Sequence, residues 1–155
     1  MSGMKLIGIN APEAMIHHCS VTLCADDGIV GARVSDSRVT FVGGSGIIGS
    51  VVSDCSATSV GQAVDAHGIS GMSIQRSYGT ADSGSGINAT QIVEGCVGSS
   101  VSANGIYAIT VNGSNGISTS GNGIRGSVIS YSYGRSTNGT AISAIHSAIG
   151  CSVGT

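Results

Sequence analysis

Four ionisable side chains recur at nearly equal intervals in the first half of the chain, at His18, Asp36, Asp54 and Arg76. Neighbours in this series are 18, 18 and 22 residues apart. Two carboxylates held close together could bind a hard cation such as calcium through oxygen ligands, and a guanidinium beside them could hold an acidic sugar. The less specific interpretation, which we favour, is an exposed row of charges in which Arg76 offsets Asp54. Either interpretation needs a fold that stacks these residues.

A Gly-Ile marker that recurs along the whole chain predicts such a fold. Its positions are Gly8-Ile9, Gly28-Ile29, Gly46-Ile47, Gly68-Ile69, Gly86-Ile87, Gly105-Ile106 and Gly123-Ile124, and Ala141-Ile142 continues the series. The successive intervals are 20, 18, 22, 18, 19, 18 and 18 residues. A repeat this short cannot bury its own aliphatic face, so neighbouring repeats must stack into one core. We call the repeats rungs 1 to 8, each beginning at its marker.

Three further positions keep the same register in successive rungs. A small residue stands two positions after each Ile, and residues i and i+2 of a strand share a face. A second inward aliphatic residue follows, at Ile16, Val34, Val52, Ile74, Val93, Val111 and Ile129. Three residues later comes a Cys or Ser, at Cys19, Ser37, Cys55, Ser77, Cys96, Ser114, Ser132 and, with a one-residue slip, Cys151.

The sequence therefore predicts one all-β domain over residues 1–155, a single-stranded parallel β-helix of about eight rungs of 18–22 residues. Helices have little support, because Gly, Ser, Val and Thr dominate and no 3.6-residue period is held. The five-residue spacing of Ile29 and Val34 does not fit a left-handed helix of hexapeptides, so we favour the right-handed form. The third side of each rung is irregular, and we expect the extra residues of the longer rungs at one corner.

The stretch Gly46-Ile47-Ile48-Gly49-Ser50-Val51-Val52-Ser53-Asp54-Cys55 resembles the repeats of the pectate-lyase-like, right-handed parallel β-helix family. The resemblance covers nearly the whole chain and implies the fold. Stacked Asp residues with a nearby Arg or His are similar to the polysaccharide lyase and hydrolase sites of that family. The matching residues here are Asp36, Asp54, Arg76 and His18, with Asp36 and Asp54 as the candidate calcium ligands. The family also includes epimerases, phage tailspikes and adhesins, so the resemblance leaves the activity open.

The cysteines are expected to be free thiols. Cys19, Cys55, Cys96 and Cys151 fall on rungs 1, 3, 5 and 8, so the nearest pairs lie roughly 9 to 10 Å apart. A disulfide tolerates a Cα separation of only about 7 Å. We therefore expect these thiols to pack as small core residues. Cys24 has no position in the column.

A second cluster near the N-terminus contains donors that could bind zinc, namely His17, His18, Cys19, Cys24 and Asp26. Their spacing matches no standard zinc site, and Cys19 belongs to the inward column. The interpretation that we favour is a buried thiol beside exposed histidines.

Composition argues against several functions. A net charge of −2, with six basic residues scattered along the chain, predicts no nucleic-acid binding. No run approaches the roughly 18 apolar residues of a membrane helix, so no membrane insertion is expected. No cofactor is expected, except calcium under the polysaccharide interpretation. The outward position after each Ile forms no threonine row, and we find no other, which argues against ice binding.

The two ends and the surface suggest the function. Residues 1–9 lack the apolar core of a secretory signal, although we favour an extracellular or surface location. Neither end offers a polar cap, so the chain is either a segment of a longer β-helix or stacks on other copies. Outward Val30 and Ile48 add an apolar patch for lateral packing. Our first hypothesis is a structural or interaction rod, not an enzyme, that forms homo-oligomers through its ends or lateral face. The second is a lyase or hydrolase of an acidic polysaccharide.

Overall fold

The structure is a computed structural model that describes residues 8–154, so the expectations about residues 1–7 lie outside the described part. The predicted fold is confirmed: parallel strands stack as a β-solenoid of about eight turns. Residues 8–154 contain no α-helix, and hence none long and apolar enough to cross a membrane. Each rung contributes one long strand to a first sheet and one short strand to a second.

The long strands form sheet A, in the order β1-β3-β5-β7-β9-β11-β13-β15. Their bounds are β1 Ile9–His17, β3 Ile29–Ser35, β5 Ile47–Ser53, β7 Ile69–Gln75, β9 Ile87–Glu94, β11 Ile106–Asn112, β13 Ile124–Ser130 and β15 Ile142–Ile149. The short strands form sheet B in the same rung order. Their bounds are β2 Ser20–Thr22, β4 Arg38–Val42, β6 Ser56–Ser59, β8 Tyr78–Ala81, β10 Val97–Ser100, β12 Asn115–Ser118, β14 Tyr133–Ser136 and β16 Ser152–Gly154.

The core lies between the two sheets and is built from like residues stacked in register. Each marker Ile pairs with the next along sheet A, from Ile9 to Ile142. In rungs 2 to 7 this Ile is completely buried. Each such side chain stabilises the fold by about 1.5–3 kcal/mol relative to an exposed one. The second aliphatic column pairs in the same way, as the sequence predicted.

The glycine of the marker is required because the two sheets approach each other closely at this point. A Cβ on Gly105 would lie 2.5 Å from the backbone oxygen of Ile117 in sheet B and 2.6 Å from that of Gly123 in the next rung. No real Cβ contact is this short. The marker therefore combines a backbone contact, which only glycine permits, with the core Ile that follows it.

The extra residues of the longer rungs do not all lie at one corner, so that expectation is partly wrong. The 22-residue rung 3 does carry them in the return segment between Ser59 and Gly68. In rungs 1 and 5 they lie inside sheet A instead, where β1 and β9 have nine and eight residues and the register with their neighbours shifts. A β-bulge absorbs extra residues without moving the inward columns on either side.

Candidate functional site

The four candidate residues share a backbone conformation. They belong to what we call the corner column, the residue at which each rung turns from sheet A to sheet B. Its members have φ between 43° and 61°. They are His18, Asp36, Asp54, Arg76, Gly95, Gly113, Tyr131 and Gly150. Glycine adopts this left-handed conformation freely, and Asp and His tolerate it better than most residues. The recurrence of Asp, His and Gly is therefore explained first by the turn, before any chemistry.

The Cys/Ser residue that follows holds this turn in place. The hydroxyl of Ser114 donates to the carbonyl of Asn112 at 2.8 Å and accepts the backbone N–H of Cys96 at 3.1 Å. The Cys96 thiol does the same more weakly, donating to the carbonyl of Glu94 at 3.2 Å and accepting the N–H of Ser77 at 3.4 Å. Cys and Ser therefore interchange because both satisfy two backbone groups within a small volume.

All five cysteines are free thiols, as predicted, but only Cys55 and Cys96 are fully buried. Cys19 and Cys151 are partly buried, since they belong to the terminal rungs of the stack. Cys24 packs against the core at the end of sheet B. It follows the left-handed residue Leu23 and takes the inward place that Val42 takes after Phe41 one rung later. This assigns the cysteine that the sequence left without a position.

The structure brings Asp36, Asp54 and Arg76 together on consecutive rungs. The Arg76 guanidinium donates two hydrogen bonds to the Asp54 carboxylate, both at 2.8 Å, although both side chains are exposed. These bonds hold the pKa of Asp54 below its ordinary value. Asp36 is exposed on the neighbouring rung, and His18 is exposed but does not line the same groove. The charge compensation that we favoured from the sequence is therefore present.

A shallow groove, which we call the corner groove, runs along the rod beside this column. Its first part has a volume of about 660 Å³ and is lined by Asp36, Asp54, Arg76 and Tyr78, among others. A second part of about 320 Å³ shares Gly95 with the first and continues to Tyr133. The groove is deepest in side-chain terms at rungs 5 and 6, where the corner residue is glycine. An elongated ligand along the rod axis would match this shape.

One buried acceptor opens into the second part of this groove. The Oδ1 atom of Asn115, which lines it, is buried and has no hydrogen-bond partner in the described structure. An unsatisfied buried polar atom costs about 1–3 kcal/mol, so a donor from a bound molecule or a water would be favoured there.

The proposed zinc cluster is not assembled. Within residues 8–154 no group of three or more His, Cys, Asp or Glu side chains could hold a metal ion. His17 instead approaches Ser35 of the next rung, with its Nδ1 atom 2.6 Å from the hydroxyl oxygen. Cys19 turns toward its own rung and donates to the carbonyl of His17 at 3.4 Å.

A polar site around His67 was missed by the sequence interpretation. Its Nδ1 accepts the backbone N–H of Ser85 at 3.0 Å, so the proton of the neutral ring is on Nε2. The Asn88 amide lies 2.9 Å from Nε2 and must present its oxygen there, since Nε2 is the donor. Burial lowers the pKa of His67. A signal existed, because the residue before each marker glycine is polar: Asp27, Ser45, His67, Ser85, Asn104, Asn122 and, before Ala141, Thr140.

A threonine row is also present, contrary to the sequence interpretation. Thr22, Thr40, Thr58 and Thr80 occupy the same outward place on sheet B in rungs 1 to 4. The first two hydroxyls are 3.2 Å apart. The row is single, and the outward residues beside it include Arg38 and Tyr78, so a flat, doubly hydroxylated face does not result. The row was overlooked because we compared only positions counted from the marker Ile.

The outer face of sheet A carries a continuous apolar stripe. Each rung contributes one residue from the middle of its strand, and most of these side chains are 40% to 69% exposed. The stripe consists of Met15, Ala32, Val51, Met72, Ile92, Ile109, Val128 and Ile145. It is larger than the patch around Val30 and Ile48 that the sequence indicated. Since both faces of an all-parallel sheet are usually covered, the stripe is a candidate contact surface.

Comparison with protein-family models, with curated proteins and with solved structures finds no significant match. The fold is therefore established as a parallel β-solenoid from its own strands and register. Any functional assignment has to come from the surfaces just described.

Proposed function

We propose that this protein is a structural rod that self-associates through the outer face of sheet A. The observation that carries the proposal is the apolar stripe, which runs without a break over all eight rungs. Exposed contiguous apolar surface of this kind marks interaction sites on soluble proteins. The occupant that fits is a second copy, because a flat sheet face is complementary to another one.

The size of the face is sufficient for a stable contact. Strands of seven residues at about 3.3 Å each, stacked eight deep at about 4.8 Å, give a face on the order of 800 Å². Stable interfaces bury about 800 Å² on each partner. Only part of that area is apolar, so we expect a dimer of moderate affinity rather than an obligate one.

Charge does little to oppose this contact. The strands of sheet A carry two carboxylates, two guanidinium groups and two histidines, which are Glu13, Glu94, Arg33, Arg125, His17 and His146. Arg125 is already placed over the ring of Tyr107, with its guanidinium carbon 5.9 Å from the ring centroid. The remaining charges are far enough apart to be solvated at the edges of the face.

The ends of the stack offer a second contact, in line with the sequence hypothesis. Ala148 and Val153 are exposed in rung 8, whereas Ile129, the residue that Ala148 pairs with, is completely buried. A further rung, from the same or a second chain, would cover them and continue both sheets. We place the main contact on the lateral face because it is independent of what covers the ends.

Sedimentation velocity over a wide concentration range tests the proposal. We expect the wild-type protein to change from monomer to dimer as concentration rises, and Ile109→Glu to shift that transition at least about tenfold higher. Val64→Glu is the matched control, because Val64 is 76% exposed in the return segment of rung 3, away from the stripe. A wild-type protein that stays monomeric up to millimolar concentration would overturn the proposal.

A second candidate function follows from the corner groove, namely binding and cleavage of an acidic glycan. The supporting observation is the alignment of Asp36, Asp54, Arg76 and Tyr78 along one elongated depression. A pectate-lyase-like relationship would imply this activity, with calcium held by Asp36 and Asp54. The ion pair between Asp54 and Arg76 makes it the weaker proposal, because the arginine is already engaged. The test is depolymerisation of polygalacturonate or alginate with calcium, by the wild type and by Asp54→Ala. Inactivity of the wild type on a broad glycan panel would end it.

A further inference from the structure

A groove and an exposed aromatic side chain stand at complementary places on the outer face of sheet A. The groove has a volume of about 350 Å³ and is lined by Pro12, Val30, Ile48, Ser70, Met72 and Thr90. These residues come from rungs 1 to 5, so the groove is centred on rung 3. Its floor includes the small-residue column, which leaves room above the sheet.

Tyr107 is the aromatic side chain. It occupies the same strand position as Ile48, the first residue after the marker Ile, but on rung 6. Its side chain is 43% exposed, and Arg125 lies over one face of the ring. A tyrosine that is partly ordered by such a neighbour loses little conformational entropy on binding, as is typical of interface anchors.

A two-fold axis that is parallel to the strands relates these features. This operation keeps each position along the strand and reverses the order of the rungs, so that rung 6 of one copy faces rung 3 of the other. It places Tyr107 over Ile48, at the centre of the groove. We propose that two copies pack with their rods antiparallel and insert Tyr107 of each into the groove of the other. This inference rests on the proposed self-association and specifies its geometry.

The same operation pairs the apolar stripe with itself. Rungs that face each other add up to nine, so every stripe residue meets another apolar one. The pairs are Met15 with Ile145, Ala32 with Val128, Val51 with Ile109, and Met72 with Ile92. An arrangement in which the same patch is used by both copies is closed, as two-fold interfaces are, and predicts a dimer rather than a fibre.

Charges on the terminal strands support this register. Glu13 and His146 are both exposed at the irregular centres of β1 and β15, and the two-fold axis brings rung 1 opposite rung 8. A carboxylate therefore faces an imidazole at each end of the interface. Arg33 faces Val128 and lies three strand positions, or about 10 Å, from the partner's Arg125, so these like charges do not meet.

Sedimentation of three variants decides between this geometry and other lateral contacts. We expect Tyr107→Ala to weaken dimerisation at least about tenfold, whereas Tyr131→Ala, an exposed tyrosine at the corner, leaves it unchanged. Glu13→Lys is expected to weaken the dimer, and adding His146→Glu to that variant is expected to restore it. Circular dichroism and thermal melting establish that each variant is folded.

The outcomes separate the geometry from the association itself. Dimerisation that is insensitive to Tyr107→Ala, or a Glu13→Lys defect that His146→Glu does not relieve, overturns the antiparallel register while self-association stands. A wild-type protein without concentration-dependent association overturns both. Loss on Tyr107→Ala together with rescue by the charge exchange supports the proposed dimer.

Discussion

The Arg76 guanidinium donates two 2.8 Å hydrogen bonds to the carboxylate of Asp54, which stands one rung earlier in the corner column. These bonds, and then the charge of Arg76, lower the pKa of Asp54 below its ordinary value of 3.8. Because both groups are exposed, the pair is accessible to salt and contributes little to stability.

Removing the arginine should raise the titration midpoint of Asp54. We expect the carboxyl signal of Asp54 in Arg76→Gln to titrate at higher pH than in the wild type, as followed by NMR. A carboxylate with a depressed pKa stabilises the fold above its ordinary pKa and loses that contribution as pH falls. The difference should shrink in high salt, and an unchanged midpoint in Arg76→Gln would show that the ion pair is absent in solution.

His67 should make the stability depend on pH in a window below 6.5. Its pKa is lowered by burial, although Asp65 acts in the opposite direction, so the unfolded chain binds a proton more readily than the native one. Stability from this group is therefore complete above about pH 6.5, the unfolded value, and falls as pH decreases toward the lower native pKa.

The matched variant is His67→Asn, since Asn104 occupies the equivalent place in rung 6 and its Oδ1 approaches the backbone N–H of Asn122. Urea denaturation between pH 5 and 8 should show a weaker pH dependence for His67→Asn than for the wild type. His67→Ala should lose about 1–3 kcal/mol at pH 7.5, because the N–H of Ser85 is left without its acceptor. Identical pH profiles for wild type and His67→Asn would contradict this role.

A methyl group at a marker glycine should be poorly tolerated. Gly105→Ala places its Cβ against the backbones of Ile117 and Gly123, and overpacking of this kind typically costs about 1–3 kcal/mol or more. Gly113→Asn is the control, because a Cβ there meets nothing within 4 Å and Asn tolerates its positive φ. We expect a clear loss of free energy of unfolding in Gly105→Ala and a small one in Gly113→Asn, and equal losses would argue against the close approach of the sheets.

The buried thiols should be unreactive in the native state. Burial raises the pKa of both Cys55 and Cys96, so little thiolate is present at pH 7. We expect a thiol-specific reagent to label Cys19 and Cys151 before these two, and all five after unfolding. Cys96→Ser should be near neutral for stability, whereas Cys96→Ala leaves the N–H of Ser77 unpaired and should cost about 1–3 kcal/mol.

Much of the architecture was predictable because inward columns repeat with the rung. A marker Ile, a second aliphatic residue and a Cys or Ser at constant spacing can all be recognised along a chain, and each pairs in register in the structure. The stacking of Asp36, Asp54 and Arg76 followed from the same period. Their common positive φ did not, because the spacing of side chains carries no information on backbone torsion.

Features that depend on the outer surface were predicted less well. The stripe that includes Met72 and Ile109 is irregular in sequence, because the bulges in β1, β9 and β15 change how many residues separate it from the marker. The threonine row of sheet B is displaced in the same way by Phe41, an extra residue in β4. Outward positions have no packing partner within the chain, so nothing requires them to repeat as strictly as the core.

By itself the sequence determined the period, the identity of the core columns and the absence of bridged cysteines, because burial on a stacked rung leaves few alternatives at those sites. Only the tertiary structure decided that the corner residues are left-handed, that Arg76 is engaged by Asp54, and that Tyr107 stands on the same face as a groove centred on Ile48. These relationships join residues on different rungs and on outward faces. They depend on how the rungs are set over one another, which no local pattern specifies.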